Sequence, residues 1–241
     1  MVRQTAHSQR PAGTQTVLTL GGTWRGIHRL FPIAIFLIPF GIAFGVAATE
    51  HGMSVYQSIA MSALVFSGAA QFVSLDFLRA PVAFGSLALI MLAINARFII
   101  MGAALSPWVN ALPITKRMLV LSYLTNPNFA DSQRAFKSGE RDVGILLGGG
   151  LVLWANWVIG TTLGAVAGSM IGNPKTFGLD VVMDCFLATV LMGEMDNRTA
   201  IIPAIVASVI ALLTGGWLPT GWNVILAAII GGIAGEMFRA K

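Results

Sequence analysis

Arg97 stands where a lipid-buried chain would be expected to carry an apolar residue. Residues 81–105 read PVAFGSLALIMLAINARFIIMGAAL, and Arg97 is their only charge, with Asn95 two positions before it. A guanidinium near the bilayer centre costs at least roughly 3 kcal/mol, so it faces a partner or a wet cavity. Its planar fork of donors suits a carboxylate. Other polar side chains fall near the same depth in neighbouring apolar segments: Ser67 and Gln71, Asn126 and Asn128 around Pro127, Asn156, and Asp184. A rise of about 1.5 Å per residue puts Asn95 and Arg97 within roughly 6 Å of their segment's middle. A belt of polar groups at one depth is what a midplane binding site produces. Each member also has a plainer use. Ser67 can bond its own helix backbone, Gln71 and Asn156 can join helices, and Pro127 can simply kink one. Arg97 and Asp184 can form a structural ion pair.

The elements that must position these groups are membrane helices. The chain has 241 residues, 56% apolar and 10% charged, with a mean hydropathy of +0.78. Soluble domains carry about 25% charged residues. The fold class expected is all-α: a polytopic membrane protein of about eight transmembrane helices, with both termini cytoplasmic. Residues 1–24 read as a disordered cytoplasmic tail, and residues 25–241 as a single transmembrane transport domain. The spans read as 30–49, 54–78, 81–105, 117–134, 143–169, 177–193, 199–214 and 222–238. The fourth is short and polar, and a seven-span chain with this segment re-entrant is the alternative. Basic residues favour eight. If the fourth segment crosses, eleven basic residues lie inside and three outside; if it does not, six lie inside and eight outside. There is also an internal echo. Phe40-Gly41-x-x-Phe44-Gly45 in the first span resembles Ile159-Gly160-x-x-Leu163-Gly164 in the fifth. Such glycines mark either close helix packing or a duplicated unit.

Composition excludes other chemistries. Three histidines and one cysteine, His7, His28, His51 and Cys185, cannot build a metal centre. No serine or cysteine in an apolar core has a histidine there to activate it. No enzyme activity and no cofactor are therefore expected. The net charge of +5 is spread over loops and tails, so no nucleic-acid partner is expected either.

Three motifs then carry a resemblance. Phe40-Gly41-x-x-Phe44-Gly45 is followed by Ser62-x-x-x-Phe66-Ser67-Gly68-Ala69-Ala70-Gln71-Phe72 and by Asn95-x-Arg97 with Met101-Gly102. Together they resemble the AzlC family, the large subunits of two-component branched-chain amino acid exporters. The resemblance runs from about residue 25 to the end and weakens after residue 170. It implies a multi-pass protein of the bacterial cytoplasmic (inner) membrane. It also implies export of small apolar amino acids and a small AzlD-type membrane subunit as partner, with the lipid bilayer around both. One departure stands out. Where the family often has Thr-Asp-Glu in the fourth segment, this chain has Thr125-Asn126-Pro127-Asn128, so both acids are absent.

A zwitterionic substrate would need a cation or helix amino terminus for its carboxylate, an acid or carbonyl oxygens for its ammonium, and an apolar slot. Arg97 fits the first role, helped by amides around Ser67-Gly68-Ala69. Asn95, Ser67, Gln71, Asn126 and Asn128 are the remaining polar substrate-binding candidates, and Phe66 would line the slot. Proton coupling needs a carboxylate whose pKa burial can raise. Asp184 is the candidate, with Asp131 second. A passive channel for another small neutral solute is the competing reading. It would call for a continuous polar stripe rather than a belt.

Overall fold

The computed structural model describes residues 16–78, 84–170, 198–218 and 222–239. Among these residues the elements are helices: α1 (Leu20–Glu50), α2 (Val55–Leu64), α3 (Gly68–Asp76), α4 (Phe84–Val109), α5 (Ile114–Leu121), α6 (Asn126–Lys137), α7 (Gly144–Met170), α8 (Arg198–Thr214) and α9 (Trp222–Arg239). Three are long and apolar enough to cross a bilayer, within α1, α4 and α7. The sixth candidate span, with Asp184, lies outside the described residues.

Two segments differ from the expectation. Residues 54–78 are not one helix but two, α2 and α3, and residues 117–134 are divided between α5 and α6. The first break has a local cause. In a continuing helix the Ser67 N–H would bond the Ala63 carbonyl. Here it bonds Val65 O at 2.9 Å, and the Trp154 indole fills Ala63 O at 3.1 Å. Ser67 itself is extended, with φ −148° and ψ 91°. The second break is prepared by Pro127 in the first turn of α6, where a missing N–H costs nothing. Thr125 precedes it in extended conformation.

The chain packs as two units. The first takes residues up to Ile33 and Ile100–Leu153, and the second takes Ala34–Ile99 and Trp154 onward. In each, α1 and α7 run parallel and in close contact. In the first unit, Gly26 meets Ile145 and Gly149, while Gly144 and Gly148 meet Thr23. In the second, Gly41 meets Trp157 and Gly160, Gly45 meets Thr161 and Ala165, and Gly168 meets Thr49. A Cβ on Gly148 or Gly164 would overlap the backbone of Thr23 or Ile42. The echoed glycines therefore face one another across one helix pair, the close-packing use of the motif.

The first unit is fastened at the start of α1. Val17 and Asp142 form a parallel bridge, with Val17 N–H donating to Arg141 O at 3.0 Å and Val143 N–H to Val17 O at 2.8 Å. Buried Asp142 accepts from the Thr19 hydroxyl, from Thr19 N–H at 3.1 Å and from Gly144 N–H at 2.9 Å. Arg25 bridges to Glu140 at 3.0 Å. In the second unit an apolar cluster of Ala43, Phe44, Ala48, Phe72, Leu75 and Trp157 joins α1, α3 and α7. Phe44 meets Phe72 edge-on at 5.4 Å and lies over Trp157 at 6.2 Å. In the same unit α8 and α9 pack together, with Gly231 and Gly235 against Pro203.

Candidate functional site

The amino terminus of α3 is the best-built polar feature of the second unit. A helix start leaves its first amides without intrahelical partners. Ser67 stands at the capping position but makes no cap bond. Its hydroxyl donates instead to Asn95 Oδ1 on α4, at 2.7 Å. The opposite occurs at α2, where Ser54 and Gln57 form a full capping box. The α3 amides around Gly68-Ala69 are thus left for another acceptor, and a helix amino terminus favours an anion.

Behind this start lies a closed polar network. Gln71 Nε2 donates to Ser62 Oγ at 3.1 Å, and Gln71 Oε1 accepts from Trp157 Nε1 at 2.9 Å. Ser62 and Thr161 hydroxyls bond each other at 2.7 Å. Ser62, Gln71 and Thr161 have no exposed surface. Both ends of the Gln71 amide are therefore engaged by protein. A buried polar network that is fully satisfied fixes geometry, since each unpaired member would be costly. Gln71 holds α3 in place rather than offering its amide outward.

The structure brings Ser67 and Asn95 together as the sequence analysis grouped them, and it leaves Phe66 partly buried against the apolar cluster. Arg97 follows Asn95 by two residues on α4. It points about 200° further round that helix. Its guanidinium carbon lies 5.1 Å from the Phe98 ring centre. Asn156 is buried on α7.

The other polar candidates belong to the first unit. Asn126 is the first residue of α6. Asn128 is fully buried, and its Nδ2 donates to Leu146 O at 2.9 Å and Tyr123 O at 3.2 Å. Gly149 and Gly150 admit it, because a Cβ on either would press on its amide. One carbonyl at the second break, Tyr123 O, is thus met by a side chain of α6 that also reaches α7. Thr125, like Ser67, makes no cap bond, and its buried Oγ1 has no hydrogen-bond partner among the described residues. Asp131 meets Arg29 through both oxygens, at 2.8 Å and 3.0 Å. That bidentate pair gives Asp131 a fastening role.

Sequence reasoning passed over Ser62, Thr161 and Trp157 as site residues. Their signal lies in spacing. Trp157 and Thr161 are four apart on one face of α7, a turn that meets Ser62 and Gln71 together.

Long apolar helices and two interrupted segments are the build of a helical membrane protein. The AzlC protein family matches residues 32–171, and the chain belongs to that family. The inner membrane protein YgaZ of Escherichia coli (strain K12) is 28% identical over 221 residues, 89% of each chain. An uncharacterized membrane protein of Archaeoglobus fulgidus is 30% identical over 152 residues, 60% of this chain and 62% of its own. The branched-chain amino acid transport protein AzlC of Bacillus subtilis (strain 168) is 24% identical over 198 residues, 80% of this chain and 77% of its own. No solved structure matches.

Proposed function

We propose that the protein is a secondary transporter that exports small apolar, branched-chain type amino acids across the bacterial cytoplasmic membrane. The observation that carries this reading is the open start of α3, whose cap residue Ser67 is turned away to Asn95. That leaves backbone donors within an apolar segment, and lipid cannot satisfy such donors. A substrate carboxylate can, and in this reading the long Arg97 side chain, which leaves α4 on a face turned away from Asn95, reaches round to supply the countercharge. Phe66 at the break offers apolar surface to the side chain. The name of the Bacillus subtilis relative supports the substrate class.

Coupling to protons is assigned to Asp184, the acid nearest the middle of its sequence segment. Asp131 is committed to Arg29 and is the weaker choice. A small AzlD-type membrane subunit completes the transporter in this reading.

The test is uptake of labelled leucine, isoleucine, valine and methionine into inverted vesicles, with and without an imposed pH gradient. The chain is expressed alone and with a small AzlD-type subunit. Saturable uptake with mutual competition is expected, and Asp184→Asn removes its pH dependence while leaving exchange. Non-saturable flux without counter-flow would favour a passive channel.

A further inference from the structure

We infer that α2–α3 and α5–α6 are two re-entrant hairpins, one entering from the side where α1 ends and the other from the side where α1 begins. Neither crosses the membrane, and each is pinned to α7 by one buried amide. This inference stands whatever the substrate is.

Length is the first observation. The four helices have 10, 9, 8 and 12 residues, rises of about 12 to 18 Å against a hydrocarbon core of about 30 Å. Each reaches about half-way. Two such halves can make either one broken span or one hairpin, and side-chain contacts decide.

Ser62 and Gln71 bond each other at 3.1 Å, although nine positions separate them. Along one continuing axis they would stand about 13.5 Å apart. The chain therefore folds back between them. Both reach the same turn of α7, at Thr161 and Trp157. Met53, before α2, and Leu75, near the end of α3, both pack on the cluster that contains Ala48 near the end of α1. The hairpin enters and leaves at that end.

In the first unit, Trp108 in the last turn of α4 lies 5.6 Å, ring centre to ring centre, from Phe136 at the end of α6. A crossing between them would put these residues on opposite faces of the bilayer, about 30 Å apart. The base of this hairpin lies at the start of α1, where Arg25 and Arg29 meet Glu140 and Asp131. Its tip is held by Asn128 on Leu146 O, with Tyr123 against Gly150.

Two independent features agree. The parallel course of α1 and α7 allows both segments to be re-entrant or neither; a single re-entrant segment would make α7 antiparallel to α1. Charge then favours both. Relative to eight spans, Lys116 and Arg117 move to the inside and Arg79 to the outside. With residues 177–193 crossing as their sequence predicts, twelve basic residues lie inside and two outside, a steeper bias than eleven and three.

The experiment is sidedness of labelling by a membrane-impermeant maleimide. Single cysteines are placed in a Cys185→Ser background, in intact cells and inverted vesicles. Tyr56→Cys reports the side where α1 ends, and Ser138→Cys the side where it begins. Leu78→Cys is expected to label with Tyr56→Cys, and Ala111→Cys with Ser138→Cys. Asn110→Cys replaces Ala111→Cys if that variant does not accumulate. Leu78→Cys labelling with Ser138→Cys, or the loop at 110–111 labelling with Tyr56→Cys, overturns the inference. Because the hairpins come as a pair, either position alone decides.

Discussion

The two interrupted segments solve one problem with different chemistry. Each breaks near its middle and restarts at a hydroxyl residue that does not cap its helix, Ser67 for α3 and Thr125 for α6. At α2–α3 the fastening is side chain to side chain, through Gln71, Ser62, Thr161 and Trp157. At α5–α6 it is side chain to backbone, through Asn128, with ion pairs at the base. The first arrangement leaves a helix start open while its supports are fully paired. The second spends its amide on backbone carbonyls, one at its own turn and one on α7. The first hairpin is thus built to present donors, and the second to stay closed on its own.

The largest effect should follow Gln71→Ala. It strips partners from the Trp157 indole and from Ser62, a loss of about 2 kcal/mol. Because a misplacement of about 1 Å can cost 100-fold, initial uptake should fall at least about tenfold. Trp157→Phe keeps an aromatic ring near Phe44, removes the donor and part of the ring volume, and leaves the Gln71–Ser62 bond, so its uptake should fall less. A Trp157→Phe variant as impaired as Gln71→Ala would assign the effect to the donor rather than to the amide's whole network. Asn128→Ala should lower stability by about 1 kcal/mol while retaining more transport than Gln71→Ala. Equal silencing by the two, in well-folded protein, would make the hairpins functional equals and break the contrast drawn here.

Smaller effects belong to the base of the second hairpin. Asp131→Asn loses a partly exposed ion pair worth about 0.2–1 kcal/mol, and pH-driven uptake should persist. Glu140 accepts backbone N–H bonds from Asp142 and Arg141 and lies beside Arg25, which together hold its pKa below the usual glutamate value. A lowered carboxylate pKa stabilises the fold above the unfolded-state pKa, and that contribution fades as pH falls through the folded one. Glu140→Gln should therefore melt slightly lower at neutral pH, with the difference closing in acid. A difference that grows in acid would contradict the assignment of those bonds.

Much of this was legible in the residues. Pro127 marked the second break, and the polar belt marked the depth at which both segments turn. The first break was not legible from hydropathy, because residues 54–78 contain no proline and no charge before Asp76. What interrupts them is tertiary: Trp154 takes the Ala63 carbonyl and Asn95 takes the Ser67 hydroxyl, from helices 91 and 28 residues away. Hydropathy counts apolar residues and is blind to a hairpin whose two arms together equal one span. Loop charge favours eight spans over seven, yet two hairpins satisfy it as well. Ser62, Thr161 and Trp157 carry no mark of a site one by one, and only the bonds that join them to Gln71, Thr161 by way of Ser62, make them a support.

The most direct measurement is equilibrium binding of labelled leucine to the purified protein, alongside Arg97→Lys and Gln71→Ala at matched folded fraction. Saturable binding that weakens at least about tenfold in Arg97→Lys, where a point charge replaces the bidentate fork, is the predicted result. Leucine binding that is unchanged in both variants would contradict a site at the open start of α3.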